Sequence, residues 1–259
     1  MNIIIVNSTF KAARFSLVVA IIGMATLLAV GPCAAQPTPK RALLALSKGD
    51  HTLAIIDPAS LKILARVPVG SDPHEVIASA DGKTAYVTIY GGGSLHELSV
   101  IDLIGQKALP TIDTKPFMGP HGITFADGKL WFTAEGSKTV VRYDPATGKF
   151  DWCMGTGQDR THMIYVTGDG KKVYTTNVSS ATVSILTDSL MKPRAFQNGP
   201  PPNGAAGGPP PARRDWVQTI VAVGKGSEGV DVSPNGKELW TAGAKDGIIT
   251  VIDLASKTV

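Results

Sequence analysis

From residue 42 onward the chain is built of short runs in which apolar and polar residues alternate, each bounded by Gly, Asp, Asn or Pro. A period of two over four to eight residues predicts β-strands, and the bounding residues predict turns. The clearest run is Pro73-His74-Glu75-Val76-Ile77-Ala78-Ser79-Ala80, followed by Asp81-Gly82 and then Lys83-Thr84-Ala85-Tyr86-Val87-Thr88. It predicts a first strand over 74–80 and a second over 83–90. Between them a two-residue hairpin turn falls on Asp81-Gly82, because Asp and Gly tolerate positive φ. A third strand over 95–102 and a fourth near 107–113 complete the unit. Ahead of it, 42–47, 51–57 and 61–69 read as three strands, a unit that lacks its first.

The unit recurs. It returns as Pro120-His121-Gly122-Ile123 with Asp127-Gly128-Lys129-Leu130-Trp131-Phe132, and as Thr161-His162-Met163-Ile164 with Asp169-Gly170-Lys171-Lys172-Val173-Tyr174. A last copy is Ser227-Glu228-Gly229-Val230 with Asn235-Gly236-Lys237-Glu238-Leu239-Trp240. The positions 74, 121, 162 and 228 are 47, 41 and 66 residues apart; without the 25-residue stretch 191–215 the last spacing is also 41. A period in the low forties with several short strands per unit predicts an all-β fold, a β-propeller of four-stranded blades. About five blades are expected, with the last cut short at Val259, so the chain reads as truncated or as an open arc. Tyr86, Trp131, Tyr174 and Trp240 share one slot of the repeat and are expected in the core between sheets. The stretch 191–215 carries Pro200-Pro201-Pro202 and Pro209-Pro210-Pro211. Consecutive prolines donate no ladder bonds, so it is expected to be a disordered solvent loop interrupting an outermost strand that resumes at 216–223.

Hydrophobic residues make up 43% of the 259, enough for a substantial core, and 28 glycines suit a turn-rich chain. The N-terminus adds an address. Lys11 and Arg14 precede an apolar run over 15–30, and Cys33-Ala34-Ala35 supplies small residues for cleavage. Residues 1–35 are therefore expected to be a signal peptide and 36–41 a short leader to the repeats at 42–259. The mature chain is expected in the periplasm or outside a bacterial cell, with no membrane span after cleavage. Without Lys11 and Arg14, the 25 basic residues become 23 against 21 acidic ones, and they are not clustered. No nucleic-acid partner is expected from that balance. Only Cys153 follows the signal peptide, which excludes an intrachain disulfide. Beside Trp152 it is expected to be a packed apolar thiol.

Ala85-Tyr86-Val87-Thr88, Ser99-Val100-Ile101-Asp102 and the Gly70…Pro73-His74-Glu75-Val76 lead-in resemble the YVTN family of β-propeller repeat proteins. The likeness covers about residues 42–259. It implies an exported propeller, with seven blades in a complete chain, and blades similar to the haem-d1 propeller of nitrite reductase. It implies no particular reaction. Gly119-Pro120-His121-Gly122-Ile123 with Gly128-Lys129-Leu130-Trp131-Phe132-Thr133-Ala134-Glu135 is similar, locally, to virginiamycin B lyase-type propeller repeats, which are magnesium-dependent. That lyase's His and Glu set has no residue-by-residue match here.

Because equivalent positions in successive blades are related by rotation, His74, His121, His162 and Glu228 are expected to gather at one mouth of the channel. Glu75 and Glu135 are candidates to join them. Three imidazoles and a carboxylate can hold a divalent metal, with His74, His121, His162 and Glu228 as its ligands. They can equally line a polar ligand pocket. A third reading makes them structural, each ring N–H tying neighbouring blades through a backbone carbonyl. The chain thus reads as an exported scaffold that binds a ligand or protein partner, not identified by the sequence, through its channel face. The alternative is a metal-assisted lyase or lactonase. A haem-carrying subunit has only the nitrite reductase analogy behind it, because no Cys-x-x-Cys-His occurs.

Overall fold

The computed structural model of the protein describes residues 37–191 and 211–259. The expected signal peptide and the middle of the Pro/Gly-rich insert lie outside the described residues. Among the described residues the fold is all-β, in five antiparallel sheets of three or four strands. These are the blades of a β-propeller, and they fall into two compact units that divide after Pro120.

The first unit holds two sheets. β1 (Leu43–Ser47), β2 (Thr52–Ile56) and β3 (Ile63–Pro68) form a three-stranded meander, and β4 (Pro73–Ala78), β5 (Thr84–Ile89), β6 (Glu97–Asp102) and β7 (Lys107–Asp113) a complete four-stranded one. Their shared core includes Leu44, Leu53, Ile55, Val67, Val76, Val87, Ile89 and Ile101. The leader is tied down: Thr38 Oγ1 donates to the Leu103 carbonyl at 2.6 Å and accepts from Gln106 Nε2 at 2.9 Å.

The second unit holds three sheets. They are β8 (Pro120–Ala126), β9 (Lys129–Ala134), β10 (Thr139–Asp144) and β11 (Lys149–Gly155); then β12 (Thr161–Val166), β13 (Lys172–Asn177), β14 (Thr182–Met191) and β15 (Arg213–Ala222); then β16 (Ser227–Val232), β17 (Glu238–Gly243) and β18 (Ile248–Asp253). β14 and β15 pair as far as Met191 with Arg213, so the ladder claims both ends of the stretch expected to be loop. Trp131, Val140, Ile164, Val173 and Leu186 form one apolar cluster, and Tyr174, Val183, Ile185, Leu239 and Ile252 another.

Burial along the strands explains their order. The second strand of each complete blade, such as β5 or β9, is buried on both faces from its second residue on. Outermost β11 alternates strictly with one face in solvent, and outermost β7 is exposed except at half-buried Leu109 and Ile112. That alternation turns Phe150, Trp152 and Met154 inward and Cys153 outward, so the thiol is exposed, not packed.

The first hairpins also differ from expectation. Asp127 and Gly128 both have positive φ, 51° and 69°, and make the two-residue turn. At 81–82 only Gly82 does, and the Ser79 N–H reaches the Thr84 carbonyl around a longer loop. The Ser79 hydroxyl donates to Asp81 at 2.6 Å, as Thr167 does to Asp169 and Ser233 to Asn235 in the equivalent turns. Those hydroxyl bonds, with N–H bonds from residues 83 and 171, hold the Asp81 and Asp169 carboxyls below the ordinary value of 3.8. Backbone bonds lead the same effect at Asp57, Asp113 and Asp253, and the Lys129 bond leads it at Asp144. A carboxyl that gives up its proton more readily when folded adds stability above the unfolded value, lost as pH falls through the folded one. The melting midpoint should hold level from about pH 5 to 7 and decline below about pH 4. A melting series with no decline down to about pH 2.5 would contradict this.

Candidate functional site

Residues 74, 121, 162 and 228 occupy the second position of four first strands, β4, β8, β12 and β16. In three of these the register slips at that point. Pro73 pairs with Ile89 but Val76 with Val87, and the same step occurs from Thr161 to Ile164 and from Ser227 to Val230. Two residues therefore face one, the signature of a β-bulge, which turns the side chain out of the regular pleat. At the bulges of β4 and β12 a threonine hydroxyl accepts the backbone N–H that leaves the ladder. Glu75 N–H donates to Thr88 Oγ1 at 3.0 Å and Met163 N–H to Thr176 Oγ1 at 3.2 Å. In β8 the Gly122 N–H does the same to Thr133 Oγ1 at 2.9 Å.

The same hydroxyls join neighbouring sheets. Thr133 Oγ1 donates to the His162 carbonyl at 2.5 Å, and Thr176 Oγ1 to the Glu228 carbonyl at 2.7 Å. The backbone tie that the sequence suggested for histidine rings is thus made here by threonine, and the rings of the second unit have other partners. His162 lies between two carboxylates: its Nδ1 is 2.8 Å from Glu135 Oε2 and its Nε2 is 3.0 Å from Glu228 Oε2. Ionised carboxylates only accept, so both bonds form together when both ring nitrogens carry protons. The His121 ring stacks on His162 with centroids 3.8 Å apart. His121, Glu135 and His162 are all buried, and one ligand atom from each lies within 4.8 Å of the others.

Glu135 opens the short 3-10 turn Glu135–Ser137 directly after β9. Its second oxygen, Oε1, accepts from Arg160 Nε at 3.0 Å. Arg160 stands two residues before the bulge, where the backbone is left-handed in every copy: Asp72 at 58°, Gly119 at 61°, Arg160 at 54° and Gly226 at 70°. Left-handed backbone costs an ordinary residue about 1 kcal/mol, so the two non-glycines are held there against their preference. Both carry a charge that serves the bulge. The sequence reading missed Arg160 and Thr133. Aligned copies carry the signal for both, a glycine slot taken by arginine and a threonine two residues after the ring slot.

His74 stands in the first unit in different company. Lys48 Nζ is 3.3 and 3.2 Å from its two ring nitrogens and 2.8 Å from Asp72 Oδ1, and the Tyr90 ring is 4.6 Å away. Burial raises the Asp72 carboxyl, but the Lys48 bond and the charges of His74 and Lys48 outweigh it and hold it low. Glu75 is half-buried beside His74. Of the six candidates, the second unit brings His121, Glu135, His162 and Glu228 together, while His74 and Glu75 belong to the first unit. Of the four rings in the shared slot, Tyr86, Trp131 and Tyr174 are buried as expected, but Trp240 is 47% exposed.

No protein-family model matches the chain, and no curated protein does. Solved structures do, at identities that speak to fold alone. Hydrazine synthase from Kuenenia stuttgartiensis has a TM-score of 0.60 and 19% identity, over 82% of this chain and 61% of that one. A functionally unknown protein from Desulfotomaculum acetoxidans gives 0.56 and 17%, over 81% and 65%. Dihydro-heme d1 dehydrogenase NirN in complex with DHE gives 0.56 and 16%, over 83% and 42%. Hydrazine synthase and NirN are β-propeller proteins, as the repeated sheets here are. The chain spans less than two thirds of the length of each of these structures.

Proposed function

We propose that the protein is an exported binding scaffold that takes a small polar ligand on the first-strand residues of its second unit. Export rests on the sequence of residues 1–35, and among the described residues no helix is long and apolar enough to cross a membrane. The observation that carries the binding reading is the gathering of buried His121, Glu135 and His162, with half-exposed Glu228 against His162, on strands that threonine hydroxyls also tie together. Buried polar side chains already fixed by one another are a preformed site, which spares a ligand the cost of ordering them. NirN, one of the similar structures, is a complex with DHE, a precedent for a ligand complex in a protein of this fold.

The test is thermal unfolding of the purified chain, with chelator present, against a panel of small carboxylates, amines and sugars. One chemical class should raise the midpoint of the parent and not of Glu135→Gln. At 100 times its dissociation constant a ligand adds about 2.7 kcal/mol, or roughly 5–10 °C for a domain of this size. A panel in which no class separates the parent from the variant defeats the binding reading. A second reading, a metal-assisted lyase or lactonase, is favoured by the convergence of ring nitrogens and a carboxylate in the same place.

A further inference from the structure

We infer that His121, Glu135 and His162 form a binding site for one transition-metal ion of the Zn2+ class, with Glu228 and Arg160 orienting its ligands. The inference concerns the residues of the binding reading, and its test uses metal alone, where the test above excludes it by chelation.

Two imidazole nitrogens and one carboxylate oxygen suit Zn2+ and its first-row neighbours. Mg2+ and Ca2+ seek six or more oxygens and have no comparable set here. The donors come from β8, the 3-10 turn after β9, and β12. The three donor atoms lie within 4.8 Å of one another, and tetrahedral ligands at 2.0–2.2 Å from one ion are about 3.3–3.6 Å apart, so small side-chain torsions bring the set onto an ion.

The outer hydrogen bonds carry the inference beyond a simple cluster of donors. A metal-bound histidine ordinarily donates its other ring N–H to a carboxylate, and a metal-bound carboxylate is itself hydrogen-bonded. Both arrangements are in place. With Nδ1 of His162 facing Glu135, its Nε2 donates to Glu228 Oε2 at 3.0 Å. With Oε2 of Glu135 facing His162, its Oε1 accepts from Arg160 at 3.0 Å. A metal entering between Nδ1 and Oε2 takes the place of the proton they share, which leaves to water, and keeps both outer bonds. Three protein ligands leave a fourth position for water or for a small ligand.

His74 has no part in the set. In its own unit a lysine ammonium lies against both of its ring nitrogens, where a cation would have to compete with a fixed positive charge. Lys48 against Asp72 and His74 is the charge-reversed counterpart of Glu135 against Arg160 and His162. The repeat thus offers a cation a site at one bulge and withholds it at another.

The experiment is titration of the metal-free full chain with Zn2+ by calorimetry and with Co2+ by visible absorption. A Cys153→Ser background removes the exposed thiol as a competing ligand. One ion per chain should bind, with the intense Co2+ bands of a low-coordinate nitrogen and oxygen site, and excess Mg2+ should not displace it. Glu135→Gln and His121→Gln should abolish uptake, Glu228→Gln should weaken it about 10- to 100-fold, and His74→Gln should leave it unchanged. Circular dichroism of each variant distinguishes a lost ligand from a lost fold. The inference is overturned if the parent takes up no stoichiometric Zn2+ or Co2+. It is equally overturned if uptake survives both ligand substitutions, or if a folded His74→Gln variant loses it.

Discussion

Trp131→Ala should lower unfolding stability by about 3–5 kcal/mol, the largest loss expected from any single truncation in the second unit. The side chain is fully buried and its indole N–H donates to the Ala126 carbonyl at 3.2 Å. Trp152 and Trp216 lie with ring centroids 5.4 and 6.3 Å away, and 4.7 Å from each other. The Arg142 guanidinium sits 5.1 Å over the indole. These partners come from β10 and β11 and from β15 of the next sheet, so the cavity left by alanine would open between two sheets that cannot both collapse into it. Trp240 provides the internal comparison, because it fills the same slot of the repeat yet is 47% exposed, with its indole N–H donating to its near neighbour Glu238. Trp240→Ala should cost about 1 kcal/mol or less. Urea unfolding of the two variants measures both, and equal losses would show that the slot is not a core position in one blade and a surface position in another.

That pair of tryptophans also marks where sequence reading stops. The repeat of a hydrophobic period-two pattern with Gly-marked turns is a local property, and it located the strands to within a few residues, β7 among them. Burial of a repeated side chain is not local. Trp240 follows a leucine behind a Gly-Lys turn, as Trp131 does, but meets a different sheet environment, and the repeat pattern that aligns the two does not register the difference. Cys153 erred the other way: an apolar neighbour suggested packing, while strand alternation sent Trp152 and Cys153 to opposite faces. The site was half legible. First-strand positions 121, 162 and 228 were found because the repeat aligns them, and Glu135 was named from its place at a strand end. His74 was grouped with them on the same alignment, although the residue that decides its chemistry, Lys48, comes from a different strand. The bulges were not legible at all, since one extra residue in a strand leaves the composition unchanged. Only afterwards do Thr88 and Thr176 stand out as the residues that accept the N–H groups at the bulges of β4 and β12.

Gly122→Ala should cost about 2–4 kcal/mol, combining overpacking with a lost hydrogen bond, and it should impair the site from outside it. The reason is not backbone freedom, since Gly122 is not among the left-handed residues. It is proximity. A β-carbon there would lie 2.5 Å from the His162 carbonyl oxygen, 2.8 Å from Met163 Cα and 3.0 Å from the Ile164 nitrogen. All three are backbone atoms, so no side chain can swing aside, and β8 and β12 must separate. Separation stretches the short Thr133–His162 bond that joins the two sheets and moves His121, the residue before Gly122, away from the ring it stacks on. Gly155 in β11 has no heavy atom within 4 Å of an added β-carbon, and Gly155→Ala should change stability by about 0.5 kcal/mol or less. Urea midpoints compare the two, and the Zn2+ titration reads the site. A folded Gly122→Ala variant should bind Zn2+ at least about tenfold more weakly than the Gly155→Ala variant, the size of effect seen when support around metal ligands is lost. If Gly122→Ala matched Gly155→Ala in both measurements, the close approach of the two first strands, and with it the geometry that brings His121 to His162, would have to be given up.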